Sequence, residues 1–425
     1  MARPGGLWGH GDFLKLWSGQ TVSVFGSLIG RFALPLVAIY TLHATPFVIA
    51  TLSAAEVGPG LALGLLAGVW VDRLRRRPVL IAADLGRAAA LGTVPLAAVA
   101  GVLGLAQLYA VAVVVSVLSL LFEVAYRAYL PGLVGAERLV EGNSKLAASN
   151  AVAEVAGFGL AGVLVQAFTA PFAVLADALS FVVSAISLWL IRAPEPDPTA
   201  AVADDRPPEG MRRAIAMGLR AIGGDPVLRA LAGFTATNLL FINLFVAVLL
   251  LFLTEELRLP PALLGVLFGL GGISAFAGAL IGERAARRWG LGRTLLGSFL
   301  IYRLATFLTP AAAGPLWVQV SLLAASQGAD AANTVGDIAQ TSLLQTVVPD
   351  RLLGRVGASL RVIEGSATLV GLLIGGALGG WIDLRPTLLV GITGSLGAAL
   401  WLLFSPVVAL EAERAASPAS QFWGE

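Results

Sequence analysis

Arg31, Glu56, Glu154, Asp177, Asp330 and Glu364 are ionisable residues inside long apolar stretches of this 425-residue chain. A charge within hydrocarbon is costly unless it faces protein or water, so each is a candidate for binding or for proton exchange. Arg31 and Glu56 lie on neighbouring stretches that run in opposite directions. At 1.5 Å per helical residue, both fall about 20–25 Å from the inner end of their helices, where they can pair. Ala148-Ser149 leads to Glu154 and Ala358-Ser359 leads to Glu364, which makes those two carboxylates pseudo-equivalent. Asp330, Asn333 and Asp337 share one helical face, and Asn238 and Asn243 add polarity to the seventh stretch. A carboxylate in apolar surroundings can exchange protons near neutral pH, whereas one held by Arg stays ionised. For Arg31 and Glu56 the alternative is a static buried pair that holds helix register. For Glu154 and Glu364 it is a hydrogen bond between helices.

The elements that hold these groups must span a membrane. Of the residues, 57% are hydrophobic and 13% are charged, about half the charge of a soluble domain. Twelve apolar stretches lie between residues 16 and 409, the tenth covering 315–340. Each is long enough to cross a hydrocarbon core of about 30 Å. Thr169-Ala170-Pro171 separates the fifth from the sixth, and Asp383-Leu384-Arg385-Pro386 the eleventh from the twelfth. The chain has no cysteine, which excludes disulfides and thiolate metal sites, and its two histidines, His10 and His43, fall outside the apolar stretches. Any coupled proton is therefore carried by carboxylates or water.

One pattern occurs twice. Glu123-Val124-Ala125 runs through Leu130, Leu133 and Val134 to Glu137-Arg138-Leu139, and Asp337-Ile338-Ala339 through Leu344, Val347 and Val348 to Asp350-Arg351-Leu352. An acid with Arg four residues on also recurs, as Asp72/Arg76 and Glu283/Arg287. Two equivalent halves point to a transporter built by duplication. The expected fold is an all-α membrane protein with twelve transmembrane helices in two pseudo-symmetric six-helix bundles. The first bundle covers 1–191 and the second 228–410, with a linker at 192–227 and a tail at 411–425. The linker is rich in Pro and acid as far as Glu209, after which Arg212, Arg213 and Arg220 alternate with apolar residues. That segment reads as a helix on the inner membrane surface or as a simple tether.

Arg73, Arg75, Arg76 and Arg77, then Arg138 and Lys145, then Arg284, Arg287, Arg288 and Arg293, then Arg351 and Arg355 all fall in one alternate set of loops. The positive-inside rule puts those loops and both termini in the cytoplasm.

Gly68-Val69-Trp70-Val71-Asp72-Arg73-Leu74-Arg75-Arg76-Arg77-Pro78 resembles the loop signature of the major facilitator superfamily, with a decayed copy at Glu283-Arg284-Ala285-Ala286-Arg287-Arg288. Arg75 stands where the family usually has Gly, and Ala279 takes the leading Gly position in the second copy. Nearly the whole chain fits that family. The resemblance implies a cytoplasmic latch between the halves made by Gly68, Asp72, Arg73, Arg76, Glu123, Glu283, Arg287 and Asp337; a solvated charged loop is the alternative. Gly60, Gly64 and Gly68 lie four apart on the second helix, as do Gly371, Gly375 and Gly379 on the eleventh. Small residues at that spacing allow close backbone approach. In the family fold these two helices face each other across the halves, which implies an inter-bundle glycine seam.

Within the family, Leu16-Trp17-Ser18-Gly19-Gln20, Asp84 and Arg87, Asp177-Ala178-Leu179-Ser180-Phe181 and Val348-Pro349-Asp350-Arg351 look like the proton-linked exporters that include macrolide-efflux and enterobactin-export proteins. Gly157-Phe158-Gly159-Leu160-Ala161-Gly162 resembles their fifth-helix signature, with Phe158 in place of Pro. This implies a secondary antiporter of the bacterial inner membrane, driven by the proton gradient with no cofactor and no metal. It would be monomeric, export small amphipathic molecules by alternating access, and have no nucleic-acid partner. An importer, a lipid carrier and a membrane sensor that has lost transport are the rivals. No Gly-x-x-x-x-Gly-Lys-[Ser/Thr] loop is present for an ATP-driven pump, and no nucleophile–base pair suggests an enzyme.

Overall fold

The computed structural model describes residues 6–195 and 211–408, without the side chains of 65, 66, 69, 72, 211–214, 350, 351 and 408. The linker residues 196–210 and the tail 409–425 thus lie outside the described residues, as do the side chains of Asp72, Arg212, Arg213, Asp350 and Arg351. The described chain is helical throughout. The N-terminal half holds α1 (Gly11–Leu42), α2 (Pro46–Asp72), α3 (Arg76–Val99), α4 (Leu105–Val134), α5 (Leu139–Phe168) and α6 (Ala170–Trp189). Then come α7 (Met211–Gly224), α8 (Pro226–Leu251), a π-helical turn Phe252–Glu256, α9 (Pro261–Trp289), α10 (Leu291–Thr306) and α11 (Leu308–Ala311). The remainder is α12 (Leu316–Gly328), α13 (Asp330–Val347), α14 (Asp350–Trp381), α15 (Leu384–Leu396) and α16 (Ala398–Leu403).

Among the described residues, eleven helical segments are long and apolar enough to cross a membrane. The tenth expected span is helical too, in two pieces, α12 and α13, but it carries Gln319, Ser326, Gln327, Asp330 and Asn333. Those polar groups keep it below the apolarity of the other eleven. This is an all-α membrane protein with the pseudo-symmetric architecture of two six-helix bundles. Its outward-facing apolar side chains, such as Leu96, Val99 and Trp381 at 72%, 73% and 83% exposure, meet lipid.

The local reasons for these helices are legible. The His10 side chain accepts from Phe13 N at 3.1 Å and caps α1. Asp225 accepts from Val227 N and Leu228 N at 2.7 and 3.0 Å and caps α8, with Pro226 at its first position. The joint between α5 and α6 is Thr169 at φ 73°, and Asp383 at φ 71° stands just before α15. Both non-glycine residues occupy the left-handed region, at equivalent places in the two halves.

The chain divides into two compact units: Met1–Pro207 with Leu259–Gly269, and Pro208–Arg258 with Leu270–Glu425. In the first, α6 packs on α1 and α3, with a core that includes Phe13, Leu16, Leu80, Phe122, Leu130 and Leu188. Gly162 on α5 meets the start of α9, where its Cβ would stand 3.0 Å from the Gly265 Cα. In the second unit α8 is central, flanked by α14 and α15.

The α7 helix is docked on α14. Ser359 Oγ donates to the Ile215 carbonyl at 3.0 Å, and Gly218 leaves room for the Arg355 backbone. Ile222 is buried in a core with Leu228, Val356 and Leu360.

Two of the seam glycines on α14 have their near neighbours on α8. A Cβ at Gly371 would stand 3.1 Å from the Asn243 Cβ, and one at Gly375 2.7 Å from the Leu244 Cα. Their close approach is therefore to α8, within their own unit. Gly379 is also buried. At Gly60, Gly64 and Gly68 an added Cβ would meet nothing within 4 Å among the described residues.

Candidate functional site

In the first unit the buried charges gather on α3 and α6. Arg87 forms an ion pair with Asp84, three residues earlier on α3, and the two side chains are 7% and 0% exposed. The guanidinium carbon lies 4.4 Å from the centre of the Phe122 ring on α4 and 4.0 Å from that of Phe181 on α6. Arg87 also donates to Ser119 Oγ at 3.3 Å. Asp177, 4% exposed, stands within the electrostatic reach of Arg87. It occupies a notch in α1, where a Cβ at Gly30 would come within 2.8 Å of its Cγ. Two acids and one Arg thus share an aromatic pocket, in which ion pairing and ring faces offset the burial of the guanidinium although its Nε lacks a hydrogen-bond partner.

Arg31 and Glu56 do not form the ion pair their spacing allows. Arg31 is exposed, Glu56 is half-buried, and no salt bridge joins them. Ser116 Oγ on α4 donates to the Glu56 backbone carbonyl, which ties α2 to α4. Glu154 is exposed.

The basic loop after α2 is held by a residue the sequence reading did not single out. The Glu195 carboxylate accepts from the backbone N–H groups of Arg76 and Arg77, capping α3. Arg77 Nε donates to the Leu188 carbonyl at 2.9 Å. Glu123 pairs with Arg127, one turn along α4, and both are exposed. Arg73 is exposed as well. In the second unit Glu283 pairs with Arg287 at 2.8 Å, also in the open. Exposed i,i+4 pairs of this kind contribute about 0.3–0.5 kcal/mol.

The second unit has its own buried Arg, which the sequence reading missed. Arg303 on α10 is 2% exposed. Its Nη2 donates to Asn238 Oδ1 on α8 at 2.7 Å, while Nε and Nη1 are buried without a hydrogen-bond partner. Phe299 and Tyr302 place ring centres 5.4 and 4.8 Å from its guanidinium. Asp330 and Asp337 on α13 lie within its electrostatic reach, though neither forms an ion pair with it. Asn333 Nδ2 donates to Asp337 Oδ2 at 3.3 Å, and Asp337 is exposed. Asp330 is half-buried at the start of α13, beside Tyr302.

Asn243 takes a structural part, donating to the Leu239 carbonyl at 2.8 Å and to Thr368 Oγ1 on α14 at 3.4 Å. Glu364 is half-buried on α14 near Arg361. Of the expected intramembrane groups, the structure therefore brings Asn238 and Asp330 to Arg303 and Asp177 to Arg87, leaves Glu56 within the electrostatic reach of Arg31 and Glu364 within that of Arg361 without an ion pair, and leaves Glu154 exposed. A repeated search for charges deep in each predicted span would have found Arg303, since it falls well inside the ninth.

Residues 16–324 match the model of the Major Facilitator Superfamily. The chain is 26% identical over 399 residues to an uncharacterized MFS-type transporter, YfiS, of Bacillus subtilis (strain 168), covering 89% of each chain. Its fold is similar to that of a bacterial homologue of the iron transporter ferroportin, with a TM-score of 0.72 at 18% identity over 92% of this chain and 98% of that one. The nucleoside transporter NupG gives 0.74 at 13% identity, over 92% and 98%. A bacterial homologue of the human lysosomal transporter Spinster gives 0.66 at 15% identity, over 99% and 100%.

Proposed function

The chain belongs to the Major Facilitator Superfamily and is a multi-pass membrane transporter; we propose that it is a proton-coupled exporter of small amphipathic molecules. The observation that carries this reading is the polar centre of the second unit. Arg303 is buried with two nitrogens unpartnered, and Asp330 lies within its electrostatic reach without an ion pair, which leaves the acid available to exchange a proton. Support for export comes from Leu16-Trp17-Ser18-Gly19-Gln20, Asp84, Arg87 and the Asp177–Phe181 run, which resemble the proton-linked drug and siderophore exporters. The facing aromatic rings of Phe32, Phe158 and Phe268 in the first unit, with centres 5.9–6.4 Å apart, suit an apolar part of such a cargo.

Transport runs by alternating access of the two halves. The two acid–Arg loops act as the latch: Gly68, Asp72, Arg73, Arg76 and Glu123 in one half, Glu283, Arg287 and Asp337 in the other. The protein acts as a monomer in a bacterial inner membrane with cytoplasmic termini, the side favoured by its Arg-rich loops.

The direct test is dye accumulation in inverted membrane vesicles, with ethidium as the probe. Accumulation that requires an acidic lumen, and is lost when the gradient is collapsed, is the expected result. Accumulation indifferent to the gradient would refute proton coupling. Dye movement only in the opposite direction would establish an importer. No movement across a panel of amphipathic cations, macrolides and phospholipids would establish a sensor.

A further inference from the structure

The tenth span has a one-residue gap in its helical hydrogen bonding, at Ala329 between α12 and α13, where the backbone stays in the right-handed region (φ −80°, ψ −5°) and a side chain of α9 reaches in. Ala329 N bonds back to the Ser326 carbonyl, three residues away, at 3.1 Å instead of continuing the four-residue ladder. Ser274 on α9 supplies what the backbone loses. Its Oγ donates to the Gly328 carbonyl and accepts from Ala331 N at 3.0 Å. Backbone can be irregular at membrane depth only where protein or a polar cavity takes up its hydrogen bonds.

Asp330 is the first residue beyond this gap. Gly271 on α9 leaves it room, because a Cβ there would run into the Asp330 carboxylate and stand 2.9 Å from the Gln327 Nε2. We propose that the gap in the tenth span is the proton-exchange site of this transporter, with Asp330 as the proton-carrying group and Arg303 as the cation that positions it.

Among the described residues two arginines are buried, Arg87 and Arg303, and they differ in one respect. Both lie against two aromatic rings and both have a buried nitrogen without a hydrogen-bond partner, but Arg87 holds an ion pair with Asp84. Arg303 is as deeply buried and bonds to the neutral Asn238, with Nε and Nη1 unpartnered. Such a cation is stable only with opposite charge in reach, and α13 provides it in Asp330 and Asp337.

The charged and titratable groups that face Asp330 are Tyr302 and Arg303 on α10 and Asp337 on its own helix; α9 contributes Gly271 and Ser274, and α12 contributes Gln327, all neutral. Two carboxylates and one guanidinium leave one net negative charge, which a single proton cancels. Asp337 is exposed and bonded to Asn333, whereas Asp330 is half-buried at the gap. The step is the formation of one O–H bond on the Asp330 carboxylate from water on one side of the membrane and its loss to water on the other, with no change in oxidation state.

This assignment rests on the proton-coupled reading above, and it can be tested without any cargo. The full chain in nanodiscs is titrated with protons while the infrared band of protonated carboxyl groups is recorded. Subtracting the Asp330→Asn spectrum from that of wild type should isolate one titrating carboxyl band, and subtraction in the Glu56→Gln background should give the same band. Arg303→Lys and Tyr302→Phe should each move its midpoint, the Arg change by about one pH unit. The two conservative variants keep the test open if Asp330→Asn fails to fold. A difference spectrum with no titrating band, or a midpoint unmoved in both conservative variants, overturns the assignment. Loss of gradient dependence in the ethidium assay, with the titration intact, would instead remove the coupling and leave the proton site.

Discussion

Arg303 Nη2 donates to Asn238 Oδ1 at 2.7 Å, so the single hydrogen bond of a buried guanidinium joins α10 to α8. Truncating the acceptor leaves a cation at membrane depth with nothing to bond. Asn238→Ala should cost about 1–3 kcal/mol, and Asn238→Asp should restore the bond. Thermal unfolding of the purified variants in detergent is the measurement; equal midpoints for wild type and Asn238→Ala would show that the bond contributes nothing.

The aromatic pocket around Arg87 predicts a larger effect. Arg87→Met leaves Asp84 and Asp177 buried without a cation, a loss on the order of 3–5 kcal/mol, and folded protein should nearly disappear from the membrane fraction. Arg87→Met with Asp84→Asn and Asp177→Asn removes the stranded charges and should recover much of the yield. If the triple variant is no better than the single one, the rings and not the charges hold this pocket together.

Because no ion pair joins Arg31 to Glu56, Glu56→Gln should leave thermal stability within about 0.5 kcal/mol of wild type. Gradient-driven ethidium transport should persist in the same variant, as the proposed role of Asp330 requires. A destabilised Glu56→Gln that is rescued by adding Arg31→Met would show that the two side chains pair in the membrane after all.

The acid–Arg loops make a different prediction. The Glu283–Arg287 pair is 76% and 69% exposed at its two side chains, so Glu283→Gln should change stability by less than about 0.5 kcal/mol. If the loops latch the halves, both Asp72→Asn and Glu283→Gln should slow transport severalfold at normal expression. Accessibility of cysteines placed along the α8 polar face, such as Asn243→Cys, should rise from the cytoplasmic side. Unchanged rates and accessibility in both variants would reduce the motif to a topology signal.

Orientation is open to labelling, because the chain has no native cysteine. Ser18→Cys, at an exposed position on α1, and Ser417→Cys in the tail should react with impermeant thiol reagents only after lysis. Reaction of either in intact cells would invert the topology derived from the Arg-rich loops.

The spans and the duplication were legible in the sequence, since length and apolarity decide what can cross a bilayer. So was the pairing of Glu283 with Arg287, because four residues is one helical turn. Other features were not. Glu123 pairs with Arg127 on its own helix, a local competitor outside the repeat pattern. The gap before Asp330 has no proline to announce it; it exists because Ser274, distant in sequence, fills the freed backbone groups. The faces of Gly371 and Gly375 could not be read either. Four-residue spacing gives a smooth helix side but not the neighbour it meets, and that neighbour is α8. Arg303 was hidden by ordinary expectation, because basic residues near the start of the same span already satisfied the orientation rule.

The pairing of Asp84 with Arg87 across a single turn of α3 also bears on how the chain is made. Helices enter the bilayer in order of synthesis, and α3 leaves the ribosome well before α6. Its two charges neutralise one another within the helix, so α3 can partition into lipid without waiting for a partner. Asp177 has no such companion on α6, and its insertion depends on a pocket that α1, α3 and α4 have already shaped. The sixth helix is therefore the element of the first unit whose buried charge is balanced from another helix, Arg87 of α3, and not from its own.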